Sequence, residues 1–298
     1  MCAACGPQTE VAENPGLVLG QTLGALALRE RHALTFLVSE PIASLAVWIE
    51  QLVAESTGKG GRGVVPIVGE PEVPPERYGN DRSFVHLRLE GDDSRDEFVE
   101  ALVGLGHPVI TVRLGDEYEL GAEIFRWEFA TAVAGAVLGV NPFDQPDVEA
   151  AKQAGREALE SGDSEDWPDE DPEALFEPSR PGELAALLVF AARSRDTEET
   201  IAAGRRRLVL EHGLATSAGF GPRYLHSTGQ LHKGGPPGLR ALIVLDAGGE
   251  SPHVPGTDFD FAALLEAQAW GDARALEKAG RMVARTGWPR FERWARRS

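Results

Sequence analysis

Between residues 14 and 152, short and nearly continuous apolar runs alternate with stretches whose apolar residues recur at helical spacing. Leu19, Leu23, Leu26 and Ala27 form one helical stripe, and Leu45, Trp48, Ile49, Leu52 and Val53 form another. The runs 34–38, 64–68, 84–89 and 108–114 are short and rich in β-branched or large apolar residues, so they are expected as strands. Ser94 and Glu97 fit a capping box ahead of the face made by Phe98, Ala101, Leu102 and Leu105, and a long apolar helix is expected over 118–138. Strands that are apolar throughout bury both faces, so the alternation predicts a mostly parallel sheet covered by helices, an αβα sandwich of α/β class. In such sheets ligands usually bind where the strands end.

The pattern breaks near residue 161. Asp163, Glu165, Asp166, Asp169, Glu170 and Asp171, interspersed with Pro168, Pro172 and Pro178, give the composition of a solvated linker over 161–181. Beyond it, strands are expected at 184–191 and 242–245, and helices at 197–210, 259–269 and 273–284, a smaller α+β unit. The expected division is therefore 1–160, a linker at 161–181, and an extension at 182–298.

A formal charge of −18 over 298 residues argues against a nucleic-acid surface, which needs clustered Lys and Arg, and against an anionic membrane. No apolar run approaches the roughly 20 residues that span a bilayer, and no basic segment leads into an apolar one at the N-terminus. A cytoplasmic protein is expected. Cys2 and Cys5 form an isolated C-x-x-C with no second pair and no preceding strand, which supports neither zinc nor redox chemistry.

Three segments carry chemistry. The first is Glu55-Ser56-Thr57-Gly58-Lys59, at the end of an amphipathic helix and followed by a strand and Gly69-Glu70-Pro71. Its glycines lack P-loop spacing, and a glycine stop explains Gly58 alone. The second is Asn141-Pro142-Phe143-Asp144-Gln145-Pro146-Asp147-Val148-Glu149-Ala150-Ala151-Lys152, which reads locally as an Asn-Pro turn with Asp144 capping a helix. The third runs from Gly219 to Gly235 and includes Arg223, His226, Ser227, Thr228, Gln230, His232 and Lys233, polar donors between glycines as in a binding loop. No carboxylate or Cys stands at ligand spacing from its two histidines, so no metal is expected there.

The first two segments resemble those of phosphoglucose isomerases, which have a Glu before Ser-Thr/Asn-Gly-Lys, then Gly-Glu-Pro, and later Phe-Asp-Gln-x-Gly-Val-Glu-x-x-Lys. Asp147 stands here where the glycine is usual. The third segment looks like the C-terminal part of bacterial bifunctional transaldolase/phosphoglucose isomerases.

The resemblance implies a sugar isomerase (SIS) type αβα domain that interconverts glucose 6-phosphate and fructose 6-phosphate through a cis-enediol, without cofactor or metal. Glu55 matches the base, and Lys152 and Gln145 match active-site positions. Ser56, Thr57 and Gly58 follow as substrate-binding candidates. Arg82 falls where the family has a catalytic His and joins Gln145 among the substrate-binding candidates, with His86 four residues on inside a strand. His226 is the local candidate for opening the sugar ring.

The family's Gly-Arg-Phe/Tyr-Ser segment and its Ser/Thr-rich phosphate loop match nothing in these residues. The resemblance thus implies the second half of the catalytic domain plus an extension, working as a homo-oligomer or with a separate N-terminal half. The rival expectations are a non-catalytic sugar-phosphate-binding SIS module and an inactive fragment or split subunit.

Overall fold

The computed structural model describes residues 1–146, 167–177, 179–246, 248 and 251–297, and these divide into two compact units. The first comprises Met1–Gly69, Val73–Gln145 and Gly234–Pro236; the second comprises Glu70–Glu72, Pro146–Lys233 and Pro237–Ser298.

The first unit begins with α1 (Pro15–Leu28), which Asn14 caps by accepting a hydrogen bond from the Leu17 N–H. There follow β1 (Ala33–Val38), α2 (Ala43–Thr57), β2 (Val65–Ile67), β3 (Arg82–Leu89), α3 (Asp96–Gly104), β4 (Val109–Leu114) and α4 (Leu120–Leu138). The sheet order is β2-β1-β3-β4, and every pairing is parallel. Its core joins Leu34, Phe36, Val85 and Leu87 of the strands to Ile49 and Val53 of α2 and Trp127 and Ala134 of α4. All four strands were legible in the sequence. The capping box was not formed: Arg95 occupies the cap of α3 without a side-chain bond, and the Ser94 N–H instead donates to Asp92 Oδ1.

The second unit contains α5 (Pro172–Phe176), β5 (Leu184–Phe190), α6 (Arg195–His212), β6 (Ala215–Phe220), α7 (Gly229–Gly234), β7 (Leu239–Leu245), α8 (Phe261–Lys278), β8 (Met282–Gly287) and α9 (Trp288–Ala295). The order is β6-β5-β7-β8, again parallel throughout. The expected α+β class for this part gives way to α/β. Two strands account for the difference. The sequence of β6, Ala-Thr-Ser-Ala-Gly-Phe, lacks a β-branched run, and β8 lies partly within the stretch expected as a helix over 273–284. The two helices expected at 259–269 and 273–284 are one, α8.

Of the acidic stretch expected as a linker, residues 161–166 and 178 lie outside the described residues. The remainder packs into the second unit. Trp167 Nε1 donates to Thr286 O at 3.0 Å, the Glu170 N–H donates to Arg285 O at 2.8 Å, and Phe176 is fully buried. Among the described residues no helix is long and apolar enough to cross a membrane.

Candidate functional site

In the first unit α2 leaves the end of β1 and returns to the start of β2, so it runs antiparallel to the strands. Ala33 pairs with both Val65 and Arg82, which sets the starts of β1, β2 and β3 at one level. Glu55, near the C-terminus of α2, therefore lies by the edge where strands begin. That is opposite to the edge expected from ligand sites in α/β sheets. Gln145, a few residues past the end of α4, belongs to the same edge, because α4 also runs antiparallel after β4.

The first segment is built around a clamp. Thr57 Oγ1 donates to Val53 O at 2.8 Å and accepts from the Val64 N–H at 3.1 Å, tying the last turn of α2 to the entry of β2. Lys59 and Arg62 exchange backbone hydrogen bonds across Gly60 and Gly61, whose φ values of 61° and 75° suit a two-residue reversal of this kind. Gly63 cannot carry a Cβ, which would meet Gly58 Cα at 2.9 Å.

The clamp presents one cation to the second segment and one to the end of α4. Lys59 Nζ donates to Asn141 O at 2.6 Å and to Asp144 O, and lies 3.0 Å from Asp144 Oδ1. Arg62 Nη1 donates to Leu138 O at 2.7 Å, satisfying a carbonyl at the end of α4 that the helix leaves without an internal partner. Both cations sit where helix C-termini concentrate negative partial charge. The hydrogen bond from Lys59 holds the Asp144 carboxyl below its ordinary range. Asp144 is also fixed by Asn141 Nδ2 at 3.0 Å, and Asn141 Oδ1 accepts from the Phe143 N–H. Sequence reasoning singled out neither Lys59 nor Arg62 as the connector, although both stand in or beside the first segment.

The individual candidates fare differently. Glu55 and Ser56 are half-buried, and Gln145 is exposed. Thr57 and Gly58 are buried, and the Thr57 hydroxyl is engaged in the clamp. Arg82, expected to bind substrate, is enclosed at 0 % exposure; Nη1 donates to Thr35 Oγ1 at 2.8 Å and the guanidinium lies over the Tyr78 ring at 5.2 Å. It packs the sheet edge and lines no open surface. His86 is a buried strand residue whose pKa burial lowers. Lys152 and the helix expected beyond Asp144 lie outside the described residues.

The third segment falls mainly in the second unit. His226 is exposed on a single 3-10 turn (Arg223–His226) that follows β6. Around it the segment is enclosed. Lys233 Nζ meets Asp272 Oδ1 at 2.6 Å, and Tyr224 Oη donates to Asp272 Oδ2 at 2.5 Å. Burial, reinforced by Asp272, pushes the Tyr224 hydroxyl pKa well up. Burial also holds His232 neutral, with a pKa pushed down to about 3. This run is thus a buried polar network more than an open loop. Asp272 was missed because it lies far along the chain inside α8. Also in the second unit, Glu70 Oε1 accepts from Thr216 N at 2.8 Å and Thr216 Oγ1 at 2.6 Å, so the Gly-Glu-Pro carboxylate is engaged.

No protein-family model matches the chain. It is 33% identical over 187 residues to a glucose-6-phosphate isomerase of Rubrobacter xylanophilus, a match covering 48% of this chain and 42% of that protein. A glucose-6-phosphate isomerase of Symbiobacterium thermophilum is 26% identical over 189 residues, covering 51% of this chain and 42% of that protein. Among solved structures, the C-terminal domain of glucosamine-fructose-6-phosphate aminotransferase from Francisella tularensis aligns over 90% of this chain and 95% of its own, at 11% identity and a TM-score of 0.24. The chain is similar to glucose-6-phosphate isomerases and spans about two fifths of the length of these curated relatives.

Proposed function

We propose that the first unit carries part of the active site of a sugar-phosphate isomerase acting on glucose 6-phosphate and fructose 6-phosphate, with Glu55 as base. One observation carries the reading most directly. Lys59, from the segment that holds Glu55, binds Asn141 and Asp144 of the segment that holds Gln145, so the two motifs share one edge of the sheet. The similarity to glucose-6-phosphate isomerases supports the substrate class.

Aldose–ketose isomerisation moves a proton between C2 and C1 through a cis-enediol. A half-buried carboxylate at a helix end suits that task where it lies within hydrogen-bond reach of both carbons. Ser56 and Gln145 would orient the sugar hydroxyls. A cation would steady the enediolate. The resemblance assigns that part to Lys152; His226, expected for ring opening from its polar, glycine-flanked setting, belongs to the second unit and is given no part in the site of the first. Arg82, Thr57 and Gly58 would shape the site indirectly, since their polar groups are engaged in packing.

The two motif segments leave substrate phosphate binding unassigned. Holding a remote dianion is what orients the reacting carbons, so without it turnover should collapse even with the base in place. We therefore assign phosphate anchoring to residues in a second copy of the chain or in a polypeptide corresponding to the N-terminal half of the relatives.

The test is a coupled assay of fructose 6-phosphate conversion, with and without the N-terminal half of the Rubrobacter enzyme. The expected result is little activity alone, activity in the mixture, and its loss by more than about a hundredfold in Glu55→Gln, as for removal of a general base. An inactive mixture in which both polypeptides are folded and associated would overturn the reading.

A further inference from the structure

The geometry points to a divalent transition-metal site in the second unit, formed by Glu173 of α5 and by Glu211 and His212 at the C-terminus of α6. Each offers one ligand atom, and the three atoms lie within 4.8 Å of one another. Two glutamates near each other would not establish a site. The independent observation is His212. Its side chain is 10% exposed, its Nε2 has no hydrogen-bond partner among the described residues, and that atom points at Glu173 Oε1 from 3.5 Å. A buried imidazole nitrogen left without a partner is costly, and a metal ion would relieve it.

The surrounding hydrogen bonds hold both carboxylates in place. Arg207 Nη2 donates to Glu173 Oε2 at 2.7 Å, and Arg207 Nε donates to Glu211 Oε2 at 2.9 Å. Trp294 Nε1 donates to the same Glu173 Oε2 at 3.0 Å. These bonds engage one oxygen of each carboxylate and leave Oε1 of each for a cation, and carboxylates that bind metals are commonly oriented in this way. With the imidazole neutral, as metal binding requires, the two glutamates and Arg207 leave one net negative charge. An imidazole with two carboxylates selects Zn²⁺ and its neighbours over Mg²⁺ or Ca²⁺, which favour all-oxygen shells. Zn–ligand bonds of about 2.0–2.2 Å require the set to contract. Glu211, whose side chain is 50% exposed, has the freedom to move. The ion would tie α5 to the end of α6 and so fasten the start of the second unit.

The site is independent of the isomerase proposal and can be tested without activity. The protein carrying Cys2→Ser and Cys5→Ser, which removes the competing thiols, is titrated with Zn²⁺ while its tryptophan emission and thermal midpoint are followed. Co²⁺ absorption then reports coordination. We expect one ion per chain, a raised midpoint, and binding weakened by more than about tenfold in His212→Ala. Should His212→Ala not fold, Glu211→Gln, on a half-exposed side chain, tests the same coordination and should weaken binding likewise. No stoichiometric binding, or binding indifferent to both substitutions, would overturn the site and leave an Arg207-centred ion-pair cluster only.

Discussion

The two units share a sheet order, β2-β1-β3-β4 against β6-β5-β7-β8, yet place their distinctive polar residues differently. In the first unit the charged groups gather at the edge where the strands begin. There Lys59 and Arg62 satisfy carbonyls at and beyond the end of α4 beside a carboxylate, Asp144, whose side chain is 52% exposed. In the second unit the segment leaving β6 folds inward, and Lys233, Asp272 and Tyr224 form a fully enclosed network. The matching helices differ too. α6 has a complete capping box from Ser194 and Thr197, whereas α2 has Ile42 at its cap position and no side-chain cap. One scaffold thus supports a partly open polar edge in one unit and a closed ionic core in the other. The open edge is suited to a ligand, and the closed network is suited to specifying packing.

The sharpest way to break this comparison is Asp272→Leu. It leaves Lys233 buried without its counter-ion, and we expect a loss of about 3–5 kcal/mol in the second unit. Urea unfolding followed by hydrogen exchange, which reads the units separately, would show it. The double variant Lys233→Met with Asp272→Leu should recover most of that loss, because no charge is then left buried. A double variant as unstable as the single one would mean that the network contributes net stability and is more than a buried cost.

Lys59→Met should have a smaller effect, about 2 kcal/mol, since water can replace part of a contact at a half-open edge. The effect should localise to faster amide exchange over 138–144 in the first unit. Exchange unchanged there would refute the clamp.

Ser194→Ala should cost about 1 kcal/mol by removing the cap of α6. In the first unit Ser44→Ala, at the start of α2 where no side chain caps, should be close to neutral. Equal losses in both by chemical denaturation would erase the difference between the two helices.

The smallest effect is a titration. Asp144 ionises more readily folded than unfolded, chiefly through its hydrogen bond from Lys59. The contact therefore contributes fully above the ordinary carboxylate pKa of about 4 and is lost as pH falls through the lower folded value. Carboxyl-carbon NMR should show the Asp144 pKa rising in Lys59→Met, and the stability gap between the two proteins should narrow in acid. An unmoved titration would mean that the ion pair is not held in solution.

Much of this was legible in the residues. The strands of the first unit were visible because Val, Ile, Leu and Phe run with little interruption where both faces are buried. α1, α2 and α4 were visible from their periodicity. β6 was not, because its small residues carry no strand signal; Gly219 is required there by the Tyr224 side chain, which a Cβ would meet at 2.6 Å. β8 was hidden by the polarity of Arg285 and Thr286, two of whose contacts reach the stretch read as linker: Glu170 Oε2 accepts from the Arg285 N–H and Asp169 Oδ1 from the Thr286 hydroxyl.

Local pattern and residue order were enough for the α/β class of the first unit, for its two motif segments and for their likeness to glucose-6-phosphate isomerases. Other properties came into being only with folding. It enclosed Arg82 against Thr35 and Tyr78, joined Lys59 to Asn141, 82 residues further along the chain, and paired Lys233 with Asp272. The physical reason is common to all three. A charge acquires its role from burial and from the partner that folding brings within hydrogen-bond reach, and neither is written in its neighbours along the chain.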